Sequence, residues 1–112
     1  MKRRIAVPLK NGLLCSHFGH CQQFALVDAE TDIVSGVEII TSPPHEPGLL
    51  PGWLAEKGVT DVIAGGMGQR AKNLFNQQKI NVFVGAPVKK ASDLVTDLLN
   101  DNLVAGANYC DH

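Results

Sequence analysis

The hydrophobic periodicity changes once along the chain, at Thr41-Ser42-Pro43-Pro44, and this restricts the fold more than any other feature. Before that point the apolar residues come in short runs. Arg4-Ile5-Ala6-Val7-Pro8 ends at Asn11-Gly12, Gln23 to Asp28 forms a second run, and Ile33 to Ile40 is β-branched and partly alternating. These are strand signals. Ala29-Glu30-Thr31-Asp32 suits the loop of an antiparallel hairpin between the last two. After the prolines, helical and extended patterns alternate. Leu49, Leu50, Trp53 and Leu54 recur at helical spacing, with Pro51 acceptable only in the first turn and Gly58 as a stop. Asp61-Val62-Ile63-Ala64 reads as a buried strand, Ala71 to Gln78 as a helix, and Asn81-Val82-Phe83-Val84 as a strand. Ala91, Leu94, Val95, Leu98 and Leu99 mark a third helix. The predicted order is βββαβαβα: an α/β domain over residues 1–103 with a mixed five-stranded sheet, followed by a tail over 104–112.

This order carries a geometric consequence. A meander of three strands makes the third parallel to the first, and each αβ crossover adds another parallel strand. With strands four and five placed beside strand one, strands one, three, four and five end at one edge. Open α/β sheets bind ligands outside that carboxyl edge. The loops gathered there are 9–22, 41–47, 65–68 and 85–88.

Composition excludes several classes. A chain of 112 residues, 45% hydrophobic, is long enough for one core and too apolar for disorder. Ten basic and eleven acidic residues leave a net charge of −1, with no field to gather nucleic acid or anionic lipid. Met1-Lys2-Arg3-Arg4 precedes an apolar run too short for a signal peptide, and no stretch is long enough to span a bilayer. A cytoplasmic protein is expected. Three cysteines are then buried thiols or metal ligands rather than a disulfide framework.

The seven Cys and His residues are clustered. Cys15, His17, His20 and Cys21 lie within seven positions, His45 sits in Pro44-His45-Glu46-Pro47, and Cys110 and His112 end the chain. Two of these clusters fall in carboxyl-edge loops. Thiolate and imidazole are the donors that soft and borderline metals prefer, so the constellation reads as a metal site. The spacing C-x-H-x-x-H-C matches no standard zinc-finger pattern, and a single cysteine such as Cys21 also serves well as a small buried hydrophobe. Cys110 and His112 can reach back along an extended tail of up to roughly 40 Å.

Gly65-Gly66-Met67-Gly68 follows a strand and opens a helix, so the N–H groups at Gly65, Gly66 and Gly68 offer an anion seat. A tight turn with close helix packing would ask for the same glycines. From Gly66 the segment also fits a relaxed dinucleotide pattern, but it is not on the first strand, and no acidic residue follows the next one. Arg70 could pair with an anion or simply face water. Trp53 and Phe75 read as core, and Lys89-Lys90 as an exposed helix start. No nucleophile elbow or paired-carboxylate constellation is present.

His17-Phe18-Gly19, Phe24, Asp28, His45, Gly48, Gly58-Val59, Gly65-Gly66-Met67-Gly68 and Ile80-Asn81-Val82 together resemble the nitrogenase iron–molybdenum cofactor biosynthesis domain, over roughly residues 3 to 100. That family includes small stand-alone members of the orange-protein kind. The resemblance implies a ribonuclease H-like α/β fold that binds or carries a metal–sulfur cluster without catalysis, with an iron–sulfur assembly ATPase or a cluster-recipient protein as partner. A nuclease is disfavoured separately, because strand one carries no metal-binding carboxylate. Many members have an arginine and then a small residue after Phe-Gly, where this chain has His20 and Cys21. The expectation is a non-catalytic carrier of an iron–sulfur or molybdenum-containing cluster. The alternatives are a zinc-stabilised interaction module on the same ligands, and a nucleotide-binding enzyme using the Gly66 loop.

Overall fold

The computed structural model of the chain describes residues 2–15, 21–43, 48–100, 102–103 and 106–108, the last three for their backbone alone. The meander is β1 (Lys2–Lys10), β2 (Leu13–Leu14), β3 (Gln23–Glu30) and β4 (Ile33–Thr41). The alternating half is α1 (Leu49–Glu56), β5 (Asp61–Ala64), α2 (Gln69–Gln77), β6 (Asn81–Val84), α3 (Ala91–Leu99) and β7 (Gly106–Asn108). The strands form one mixed sheet in the order β4-β3-β1-β5-β6-β7, with β2 hydrogen-bonded to β1 off this path. β1 and β5 are parallel, as are β5 and β6, while β3 is antiparallel to both β1 and β4. Of the two later strands placed on the strand-one side, β5 pairs with β1 and β6 lies one strand further out, which gives the parallel block β1-β5-β6.

Among the described residues, seven strands replace the expected five. Neither addition has a strand-like pattern of its own. β2 exists because Asn11 and Gly12 take left-handed φ values of 55° and 81°, a two-residue hairpin turn that lays Leu13 and Leu14 back on β1. β7 is Gly-Ala-Asn, held by the otherwise open edge of β6. The β3–β4 loop is also shorter than expected. Only Thr31 and Asp32 turn, with φ of 52° and 65°, although a β-branched residue is strained there.

Side-chain alternation divides the core into two layers. Ile5, Val7 and Leu9 of β1, Ala25 and Val27 of β3, Ile63 and Phe83 pack under Leu94, Val95 and Leu98 of α3. The intervening residues Ala6, Phe24, Leu26, Val62 and Val82 face α1 and α2 through Leu54 and Phe75. Burial on both faces makes the central strands continuous apolar runs. α1 ends in a Schellman turn: Gly58, at φ 79°, donates to the Ala55 carbonyl, and Val59 donates to Leu54. α2 ends the same way, with Lys79 at φ 61° donating to Asn76 and Ile80 to Phe75.

The amino edge is ionic. Asp61 is 1% exposed and accepts hydrogen bonds from Arg3 Nε (3.1 Å) and Nη2 (3.2 Å), Thr60 Oγ1 (2.7 Å) and Asn81 Nδ2 (3.2 Å). Arg4 pairs with Asp28 at 2.7 Å and donates to the Lys57 carbonyl, and the hydrogen bond to Asp28 raises the guanidinium pKa above its ordinary value. These groups lie at the end of the sheet opposite the gathered loops.

Candidate metal-cluster site at the carboxyl edge

The parallel registers Ile5↔Asp61 and Val62↔Val82 bring the ends of β1, β5 and β6 to one edge, and β4 runs the same way. The loop after β1 is pinned at both ends. The Cys15 N–H donates to the Pro8 carbonyl at 2.9 Å, and the Gln22 N–H donates to the Leu9 carbonyl at 3.1 Å. Successive carbonyls of a strand point to opposite sides. Cys15 therefore stands on the β5 side of β1, just past Ala6, where the β1–β5 pairing ends. Cys21, next to Gln22, stands on the β3 side.

Both cysteines nevertheless turn to the same face. Cys15 is 4% exposed and Cys21 9%, and both belong to the apolar layer beneath α1 and α2 with Phe24, Leu54 and Phe75. No disulfide joins the two sulfurs. The Cys21 thiol donates to Ser42 Oγ at 3.8 Å, and the Ser42 N–H donates to the Gln22 carbonyl at 3.0 Å. The loops that follow β1 and β4 are thus joined next to a sulfur atom.

The third loop runs from Gly65 to Gly68. Gly85 donates its N–H to the carbonyls of Ala64 (3.0 Å) and Gly65 (2.9 Å), tying this loop to the one after β6. Gly68 caps α2 with φ −69° and no side-chain cap bond, and a Cβ built there meets nothing within 4 Å. Neither a left-handed turn nor close packing requires glycine at this position. Met67 packs against the apolar layer that contains both thiols, and Trp53 does so from α1. Trp53 lies 5.8 Å from Phe24 between ring centroids, with Lys57 Nζ 4.7 Å from its ring centre.

Of the residues expected in the site, Cys15 and Cys21 share one buried layer, and Gly65, Gly66 and Gly68 form a carboxyl-edge loop. His17, His20, His45, Cys110 and His112 lie outside the described residues. Among the described residues, no three His, Cys, Asp or Glu side chains are grouped closely enough to hold a metal ion. Ser42 and Met67 were not anticipated as neighbours of the thiols. For Met67 the available signal was its place as the only side chain in a glycine loop; for Ser42 there was none. No helix of the described residues is long and apolar enough to cross a membrane.

Comparison with known proteins gives a consistent result. The family model for the dinitrogenase iron-molybdenum cofactor matches residues 1–101. MJ0580, an uncharacterised protein of Methanocaldococcus jannaschii, is 33% identical over 85 residues, which is 71% of this chain and 72% of that one. The crystal structure of PH0822 superposes with a TM-score of 0.85 at 30% identity, covering 91% of this chain and 93% of the other. The apo form of the orange protein from Desulfovibrio gigas superposes with a TM-score of 0.75 at 24% identity, covering 95% and 96%. At that identity it is evidence of a shared fold.

Proposed function

Because the chain belongs to the dinitrogenase iron-molybdenum cofactor family, we propose that it is a non-catalytic carrier of an iron–sulfur or molybdenum-containing sulfur cluster, in cofactor assembly or delivery. One observation carries the reading: the thiols of Cys15 and Cys21 stand on either side of the end of β1 and enter the same apolar layer. Thiolate sulfur is the donor such clusters take. Cys15 and Cys21 are the primary ligands, and His17 and His20, between them in sequence, and His45, after β4, are the further donors. The amides of Gly65, Gly66 and Gly68 face a negative charge at the start of α2. The strand order β4-β3-β1-β5-β6 is the basis for reading the fold as ribonuclease H-like.

A carrier role also suits what surrounds the thiols. The buried carboxylate Asp61 lies at the other end of the sheet and is committed to Arg3, Thr60 and Asn81. Apolar walls exclude water from a labile sulfide-bridged cargo, and ligands on loops can open to hand it on. An iron–sulfur assembly ATPase or a cluster recipient is the partner this role requires.

The test is anaerobic reconstitution with iron, sulfide and molybdate, read by metal and labile-sulfide analysis and by visible absorption. Stoichiometric loading with a sulfur-to-metal charge-transfer band is expected for the unaltered chain. Combined Cys15→Ser and Cys21→Ser should abolish it. Unchanged metal content in that double variant would show that these thiols are not the ligands.

A further inference from the structure

β4 is the terminal strand of the sheet path, and its outer N–H and C=O groups face no other strand among the described residues. Its nine residues include Ile33, Val34, Val37 and Ile39 as large exposed hydrophobics, at 71%, 44%, 60% and 50%. Natural sheet edges are normally blunted by lysine, proline, bulges or a covering element. Here β4 has no lysine and no proline, Glu38 is its lone charge, and its bulge at Ser35 leaves residues 36–41 regular. Val37 and Ile39 stand opposite Val27 and Ala25, on the α3 side of the sheet, where α3 leaves them exposed.

We propose that this edge joins two copies of the chain, with the two β4 strands antiparallel about a two-fold axis at Ile39, so that both sheets continue into one. The choice of partner and register follows from the strand itself. A bulge places Ser35 between Gly36, opposite Asp28, and Val34, opposite Ala29, so the regular part of the edge begins at Gly36. In antiparallel pairing, opposed residues lie on the same face, so a symmetric pair must be centred on a residue. Centring on Glu38 would set two carboxylates against each other. Centring on Val37 would run Ile39 into the partner's bulge. Centring on Ile39 pairs Val37 with the second copy's Thr41, Glu38 with its Ile40 and Ile39 with itself, opposing no like charges.

An isologous contact of this kind closes on itself and cannot run on into fibres. The chain's net charge of −1 offers little long-range repulsion. The paired segment, five residues or about 17 Å long, is much smaller than a standard interface of about 1,600 Å², so the dimer should be concentration-dependent.

Sedimentation of the full chain from micromolar to millimolar concentration tests this, alongside Ile39→Lys and Ile33→Lys. Each replaces an exposed side chain, and circular dichroism checks that the fold is kept. A reversible monomer–dimer equilibrium is expected, weakened at least about tenfold by Ile39→Lys, which opposes two lysines across the axis, and unaffected by Ile33→Lys. Amide exchange on the unaltered chain should show protection of residues 37–41 growing with concentration, and no such change at 33–35. A chain that stays monomeric at millimolar concentration overturns the proposal and leaves the edge to another occupant. Equal weakening by both lysine variants overturns it too, since the association would then lack the stated register.

Discussion

Trp53 and Phe24 meet at a tilt of 51°, and both rings pack in the apolar layer that holds Cys15 and Cys21. Trp53 is the only tryptophan in the chain. On the proposed function, a cluster bound by those thiols would absorb in the visible and near-ultraviolet and would lie within energy-transfer range of the indole. Anaerobic loading should therefore quench most of the tryptophan emission in step with metal uptake. The Cys15→Ser/Cys21→Ser chain should keep its emission under the same treatment, as read by a fluorescence titration.

Loading should strengthen as pH rises. Neither sulfur is in a disulfide, and a thiol must lose its proton to become a thiolate ligand, so binding releases protons. Metal uptake at limiting iron should increase from pH 6 to pH 8, with proton release measurable in weakly buffered solution. A pH-independent uptake would point to ligands that carry no proton.

Lys79→Gly should stabilise the protein by about 1 kcal/mol. Lys79 holds the left-handed position that closes α2, where a side chain costs roughly that much and glycine does not. The corresponding position after α1 is already Gly58, and Gly58→Ala should destabilise by a similar amount, about 1 kcal/mol. Urea unfolding of both variants, read as a shift in midpoint at constant slope, checks the pair.

Replacing Thr31-Asp32 by Asn-Gly should add about 1 kcal/mol, because that pair is adapted to the two left-handed turn residues joining β3 to β4. The gain should appear as a higher melting temperature with unchanged metal loading, since this turn is at the edge away from the cysteines.

Asp61→Ala should cost about 2–4 kcal/mol, because it removes a buried acceptor shared by Arg3, Thr60 and Asn81 and leaves a gap in its place. Asp61→Asn keeps the volume and part of the hydrogen bonding and should cost less. Thermal unfolding of the two variants should separate them clearly.

Much of this architecture is legible locally. The β-branched runs before Pro43 and the helical spacing after it are written in neighbouring residues, so element type and order follow from periodicity. The parallel direction of β5 and β6 follows from the geometry of αβ crossovers, whereas their order outward from β1 is decided by the assembled sheet. The two short strands Leu13–Leu14 and Gly106–Asn108 have almost no pattern of their own and exist because a neighbouring edge offers hydrogen bonds. Thr31 and Lys79 take backbone conformations that their side chains disfavour, since the elements they join impose the turn.

The candidate site divides in the same way. The clustering of Cys15 and Cys21 within one loop, and that loop's position at the carboxyl edge, were determined by residue order alone. Whether each thiol faced water or core was decided by Phe24, Leu54 and Phe75, which are distant in sequence and meet only when the sheet closes against α1 and α2. The partners of Asp61 likewise come from strands 58 and 20 residues away. Periodicity is a property of adjacent residues, whereas burial and polar satisfaction belong to groups that only packing brings together.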